Sequence, residues 1–148
     1  MTIKKFGKKL ENKHYQLRVG IYILVFDESK QNILLVSPPN GSYLLPGGER
    51  EEKETPIETV KRECREELGY EVEVGDYLGA ADEYYYSTHR KHYYYNPAYF
   101  YTASSWKEVG VPLEDFNTLR WASLVEAKQL LKRESHQWAV NNYLETRA

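Results

Sequence analysis

A glycine turn, Gly47–Gly48, is followed by an isolated Glu54. After seven intervening residues come Arg62 and Glu63, and then Glu66 and Glu67. Glu63, Glu66 and Glu67 sit at i, i+3 and i+4 of a predicted helix, where like charges repel. A divalent cation would relieve that repulsion. Clustered carboxylates are hard oxygen ligands of the kind Mg²⁺ or Mn²⁺ takes. Such a cation neutralises a diphosphate and polarises its phosphorus, so that water activated by the metal or by a carboxylate can attack. The chemistry indicated is metal-assisted hydrolysis of a phosphoanhydride, or at least a Mg²⁺–phosphate site.

The elements that must position these groups are legible nearby. Thr55 is an N-cap, Pro56 suits the first helical position, Glu58 completes a capping box, and Gly69 fits the left-handed position past the end. Ile57, Val60, Cys64 and Leu68 form one apolar stripe. At about 100° per residue the three glutamates fall beside that stripe, at the edge where the helix meets a sheet. Gln16 to Phe26 reads as a central strand and Ile33 to Val36 as a second that forms a hairpin with it. Ser37 to Ser42 is a loop. Glu71 to Leu78 and Ala80 to Tyr86 are extended. Tyr93 to Thr102 returns as a strand broken near Pro97, Ser104 to Thr118 is a loop, and Leu119 to Ala122 is a short strand. Ser123 caps a helix to about Arg133, with Glu126 closing a second capping box, and Ser135 to Thr146 is a last helix.

The bulk properties narrow the function classes. The 148 residues suit one domain with a proper core, spanning 1–148. Hydrophobic residues at 41% and charged residues at 28% describe a soluble globular protein. A net charge of −2 supplies no field for a nucleic-acid polymer or an anionic membrane. The single cysteine, Cys64, excludes an internal disulfide and a Cys-rich zinc site and reads as core packing. The start of the chain lacks a signal-peptide apolar core, and no apolar run approaches membrane-spanning length, so the expected location is cytoplasmic.

The spacing from Gly48 to Tyr70 resembles the Nudix box: Gly, five residues, Glu, seven residues, Arg-Glu, an apolar residue, any residue, Glu-Glu, any residue, Gly, an apolar residue. All seven fixed positions match, and Tyr70 is a mild departure at the last apolar one. The strands before the box and the sheet and helices after it extend the resemblance over nearly the whole chain. It implies an α/β fold, a Nudix-type α/β/α sandwich with a central mixed β-sheet. It also implies hydrolysis of a pyrophosphate bond in a nucleoside diphosphate derivative, with Mg²⁺ or Mn²⁺ as cofactor, a nucleotide-type small molecule as partner, and room for a homodimer. Carboxylates matching Glu63, Glu66 and Glu67 bind metal in that family, often joined by the carbonyl at the Gly47 position. A residue matching Arg62 pairs with one matching Glu54. The alternative function is a nucleotide-sensing module without catalysis. Such modules often lose box carboxylates, whereas this chain keeps them. The bland reading of the cluster, a solvated acidic face, is opposed by its spacing to Gly48, Glu54 and Arg62.

Outside the box the reading stays open. Some family members carry an acidic general base just before a tryptophan, where this chain has Arg120 before Trp121. The base is then Glu63, or a loop acid such as Glu108, Glu114 or Asp115. Arg120 is a substrate-phosphate candidate or a strand-end surface residue. Among 14 tyrosines, most should pair across the sheet. Tyr86 is the substrate-stacking candidate, near a place where diadenosine-polyphosphate-cleaving relatives often have Tyr. His89, Arg90, Lys91 and His92 form a basic turn that contacts phosphate only if the tip folds over the site. His136 and Trp138 read as helix packing.

Overall fold

The computed structural model describes residues 3–39 and 41–147; Met1, Thr2, Asn40 and Ala148, which the 1–148 domain reading includes, lie outside the described residues. The elements in chain order are β1 (Lys4–Phe6), β2 (Tyr15–Leu17), β3 (Gly20–Leu24), β4 (Asn32–Ser37), β5 (Gly47–Glu49), α1 (Pro56–Leu68), β6 (Tyr70–Ser87), β7 (His92–Glu108), β8 (Thr118–Ser123), α2 (Leu124–Leu130) and α3 (Glu134–Arg147). A mixed sheet runs β1-β6-β7-β3-β5, with β2 also pairing β7, and β4 and β8 form a second, two-stranded sheet. The result is the expected α/β sandwich with a central mixed sheet.

Alternation along β3 explains the layers. Ile21, Ile23 and Val25 join Val60, Cys64 and Leu68 of α1 in one core. Tyr22, Leu24 and Phe26 join Ala127 of α2 and Ala139, Val140 and Tyr143 of α3 in the other. Side chains that point to opposite faces of one strand therefore bind a helix layer to each side of the sheet. Full burial of Val60 and Leu68 contributes about 1.5–3 kcal/mol each. Thr59 is buried on that face, while Ile57, assigned to the stripe from periodicity, is 47% exposed.

The ends of α1 follow the sequence signals. Thr55 Oγ1 accepts the Glu58 N–H at 3.1 Å, and a Glu58 carboxylate oxygen accepts the Thr55 N–H at 2.9 Å. Gly69 closes the helix at φ 71°. A Cβ there would stand 2.3 Å from the Gly110 carbonyl oxygen, so the left-handed turn and the close approach both require glycine. That approach matters for the site. Val109 and Gly110 donate to the Gly69 carbonyl, and Glu114 donates its N–H to the Glu66 carbonyl at 2.9 Å. The loop after β7 is thus pinned along α1.

Some expectations are corrected. The Gln16–Phe26 run is split into β2 and β3. β4 keeps the expected hairpin contact with that run only at its start, through the Phe26–Ile33 bridge and the bond from the Leu34 N–H to the Val25 carbonyl, and its full ladder is with β8. Pro97 does not break β7, because it lies within a continuous pairing opposite Asp82. β7 also runs on through residues expected as loop, to Glu108. Ser123 caps α2, but Glu126 ion-pairs with Arg120 at 3.1 Å and does not close a box. No helix among the described residues is long and apolar enough to cross a membrane.

His136 ties α3 to the segment leading into the glycine turn. It is fully buried, tilted against Tyr22 at 4.3 Å and edge-on to Phe100 at 5.6 Å. Its Nδ1 accepts the Leu45 N–H at 3.1 Å, which places the proton on Nε2, an atom with no partner among the described residues. Burial drives its pKa well below 6.5. A lowered folded-state pKa means stability is present above the unfolded value of 6.5 and is lost as pH falls below it. Urea melts between about pH 7.5 and 5 should therefore show wild type losing up to about 1.4 kcal/mol per pH unit more than His136→Asn. Parallel slopes would contradict a buried neutral imidazole.

Candidate active site

β5 is a three-residue edge strand, and its two glycines allow it to lie against both β3 and α1. Gly47 pairs with Tyr22 and Gly48 with Ile21. Gly47 has φ 134°, and a Cβ on it would fall 2.1 Å from the Ile21 carbonyl oxygen. A Cβ on Gly48 would fall 2.7 Å from the Glu63 carboxyl. The turn is therefore a cradle in which backbone and carboxylates approach as only glycine permits. The Gly47 N–H donates to Glu67 Oε1 at 2.9 Å.

Arg62 organises the rest. Its Nε donates to Glu54 Oε2 at 2.6 Å and its Nη2 to Glu54 Oε1 at 3.0 Å, a two-pronged pair suited to the planar guanidinium. Nη2 also donates to the Glu49 carbonyl at 3.1 Å. Nη1 faces Glu63 Oε1 at 3.1 Å and Glu66 Oε2 at 3.3 Å. Glu54 accepts further bonds from the Glu51 N–H and the Thr59 hydroxyl. The loop between β5 and α1 is thereby held to the helix, as the spacing of Glu54 and Arg62 suggests.

The electrostatics follow from this wiring. The Arg62 hydrogen bond holds Glu54 down to about 2, and the same bond raises the Arg62 pKa. Burial pushes Glu63 up to about 7 against the opposing pull of Arg62. Burial also pushes Glu67 well above the carboxylate range, with the Gly47 N–H opposing it. Two partly desolvated carboxyls held beside a backbone cradle are what a divalent cation would stabilise as anions. Among the described residues no three His, Cys, Asp or Glu side chains stand already gathered around a metal position. Arg62 accounts for this, because its Nη1 lies between Glu63 and Glu66 and serves as their counter-ion. The donor set fits a hard cation once Glu63 and Glu66 exchange Arg62 for it.

A cleft of about 940 Å³ opens beside this cluster. Glu63, Glu66 and Glu67 line it, as does Glu114, brought there by its bond to α1. Glu114 was one of several loop acids that spacing alone left equal. From the α3 side of the sheet the lining includes Tyr22, Tyr85 and Arg133. His89 and Arg90 at the β6–β7 tip also reach the cleft.

Two substrate-binding candidates fall elsewhere. Tyr86 is 45% exposed, pairs with Tyr93 and does not line the cleft. Strand alternation sends Tyr85 there instead. Arg120 pairs with Glu126, lies 5.8 Å from the Tyr43 ring, and likewise does not line the cleft. Arg18, Tyr85 and Arg133 carried no local spacing signal, since they reach the site from the β2–β3 connection, from β6 and from the segment before α3. Cys64 is fully buried core. Arg62→Ala should leave Glu54 and Glu63 without their counter-ion and cost about 2–4 kcal/mol in denaturant melts. It should also open residues 49–54 to proteolysis, whereas a merely superficial Arg62 would change neither.

A family model for the NUDIX domain matches residues 16–143. No curated protein matches the chain. Solved structures do. The E. coli ORF135 protein is 20% identical, over 90% of this chain and 93% of its own, with a TM-score of 0.70. The MutT protein from Methanosarcina mazei Go1 is 20% identical, over 94% and 99%, with a TM-score of 0.70. At that identity the likeness speaks for the fold. A MutT NUDIX hydrolase from Burkholderia pseudomallei is 25% identical, over 86% and 98%, with a TM-score of 0.64. With the family model spanning most of its length, this chain belongs to the Nudix hydrolases, a family that generally uses divalent metal ions to hydrolyse pyrophosphate bonds of nucleoside diphosphate derivatives.

Proposed function

We propose that residues 1–148 act as one Nudix domain, with the box at 48–70, that hydrolyses a nucleotide-type small molecule in a Mg²⁺-dependent reaction, Mn²⁺ serving as a substitute. The observation that carries this reading is the pair of desolvated carboxyls, Glu63 and Glu67, held against the Gly47–Gly48 cradle. Glu63, Glu66, Glu67 and the Gly47 carbonyl would hold the cation. When bound, it would neutralise the diphosphate and make its phosphorus more electrophilic.

The chain's own groups do the rest. Arg62 and Glu54 keep the β5–α1 loop at a fixed height over α1, so the cradle does not drift from the carboxylates. Glu63, which lines the cleft against the Gly48 backbone, is the carboxylate placed to accept a proton from the attacking water. The water forms a bond to phosphorus as the bridging P–O bond breaks, and the leaving phosphate carries away the electron pair. Glu114, bonded through its backbone to Glu66, helps keep Glu63 high by its charge. It stands beside the base and does not replace it. Tyr22 forms part of the cleft wall, its hydroxyl pushed up to about 12 mainly by burial.

The test is a screen with Mg²⁺ over nucleoside triphosphates, dinucleoside polyphosphates and nucleotide sugars, with products identified. On the substrate found, Glu63→Gln and Glu67→Gln should each lower kcat by about 10²–10⁴ with melting curves intact. Glu114→Gln should cost under about tenfold. If Glu114→Gln proves the more damaging, the base is misassigned. If Glu67→Gln retains full turnover at saturating Mg²⁺, the metal site is wrong.

A further inference from the structure

Arg133 lies just before α3, with its guanidinium carbon 3.5 Å from the centroid of the Tyr85 ring. Among the described arginine side chains, Arg18, Arg62, Arg65 and Arg120 each meet a carboxylate, and Arg50 meets the Glu54 carbonyl. Among the described residues the guanidinium groups of Arg90 and Arg133 meet no hydrogen-bond acceptor and no carboxylate. Both line the cleft that holds the glutamates of α1. Arg133 is half-buried. With no carboxylate competing for it among the described residues, its guanidinium is available to an incoming anion in the cleft.

The surroundings sharpen the chemistry. A guanidinium held over an aromatic ring at this distance gains cation–π attraction while its N–H donors stay available to bind phosphate two-pronged. Tyr85 in turn is held by its cross-strand neighbour Tyr94, ring centroids 5.5 Å apart. Tyr22, Glu67 and Arg133 all line the same cleft, so the arginine and the acidic cluster share one cavity. Elsewhere the cavity is rich in glutamate, including Glu49 and Glu51. A polyanionic substrate would be repelled from such walls except where a cation meets it.

We propose that Arg133, stacked on Tyr85 and assisted by Arg90, is an anion subsite that selects nucleotides carrying a further negative group beyond the diphosphate being split, such as an additional phosphate. This rests on the α1 carboxylates being the hydrolytic centre. Substrates whose second moiety is a neutral sugar leave the subsite empty and bind less tightly.

Calorimetry in EDTA tests the subsite without turnover. The probes are inorganic tripolyphosphate and the uncharged nucleoside adenosine, titrated into wild type, Arg133→Gln, Tyr85→Leu and Lys61→Gln. Lys61, paired with Glu73 outside the cleft, controls for simple loss of charge. Tripolyphosphate affinity should fall at least tenfold in Arg133→Gln, fall less in Tyr85→Leu, and stay within twofold in Lys61→Gln. The proposal is overturned if Arg133→Gln matches wild type, or if wild type binds no tripolyphosphate. It is equally overturned if adenosine binding is what the variant loses, because the stack would then hold a base. A kinetic arm compares a nucleoside triphosphate with a nucleoside diphosphate linked to a neutral sugar. Arg133→Gln should lower the ratio of kcat/KM values at least fivefold through KM, with kcat within twofold. A wild type that splits neither these compounds nor any dinucleoside polyphosphate would defeat the hydrolytic reading, while the calorimetry would still decide the subsite.

Discussion

The site depends on one side chain, Arg62. Its guanidinium grips Glu54 with two nitrogens, caps the Glu49 carbonyl, and faces Glu63 and Glu66 with its remaining edge. The glutamates would otherwise drive one another apart, and the loop from β5 would have no anchor on α1. A lysine has a single charged nitrogen and lacks this fork, so it cannot make all four contacts. The same side chain accounts for the state of the carboxylates. It holds Glu54 ionised at a low pKa and only partly offsets the burial of Glu63.

Around that hub the fold supplies rigidity. The reciprocal cap at Thr55 and the left-handed Gly69 fix both ends of α1, and its buried side chains fix its rotation against β3. Rotation decides which residues reach the cleft edge, so core packing and site geometry are one constraint. The opposite layer contributes through His136, which holds Leu45, two residues before Gly47. The glycine turn is thus held from both sides of the sheet.

The parts that sequence made legible share a physical trait: they depend on local spacing. The cap, the helix, the glycine turn and the Glu54–Arg62 pair all lie within one short segment with a fixed helical period. The parts that were missed depend on register. Tyr85 and Tyr86 differ only in which face of β6 they occupy, and that parity is set by their pairing with Tyr94 and Tyr93 of β7. The hairpin expected of β4 forms only at its first residues, because its apolar run fits any buried neighbour, and the distant β8 completes its ladder. Arg18 within a predicted strand and Arg133 at a predicted helix end carry no motif, since nothing near them in the chain announces the cleft. Arg120 was chosen for its neighbour Trp121, but β8 places it opposite Leu35, where it turns to Glu126.

The central claim is that the acidic cluster, released from Arg62, holds a divalent cation. Diffraction from crystals soaked in Mn²⁺, recorded at the manganese absorption edge, addresses it most directly. The account predicts an anomalous peak within coordination distance of Glu63, Glu66 or Glu67 and the Gly47 carbonyl, with Arg62 still bound to Glu54. A structure at saturating Mn²⁺ with no peak there, and with Arg62 still bridging Glu63 and Glu66, would contradict it.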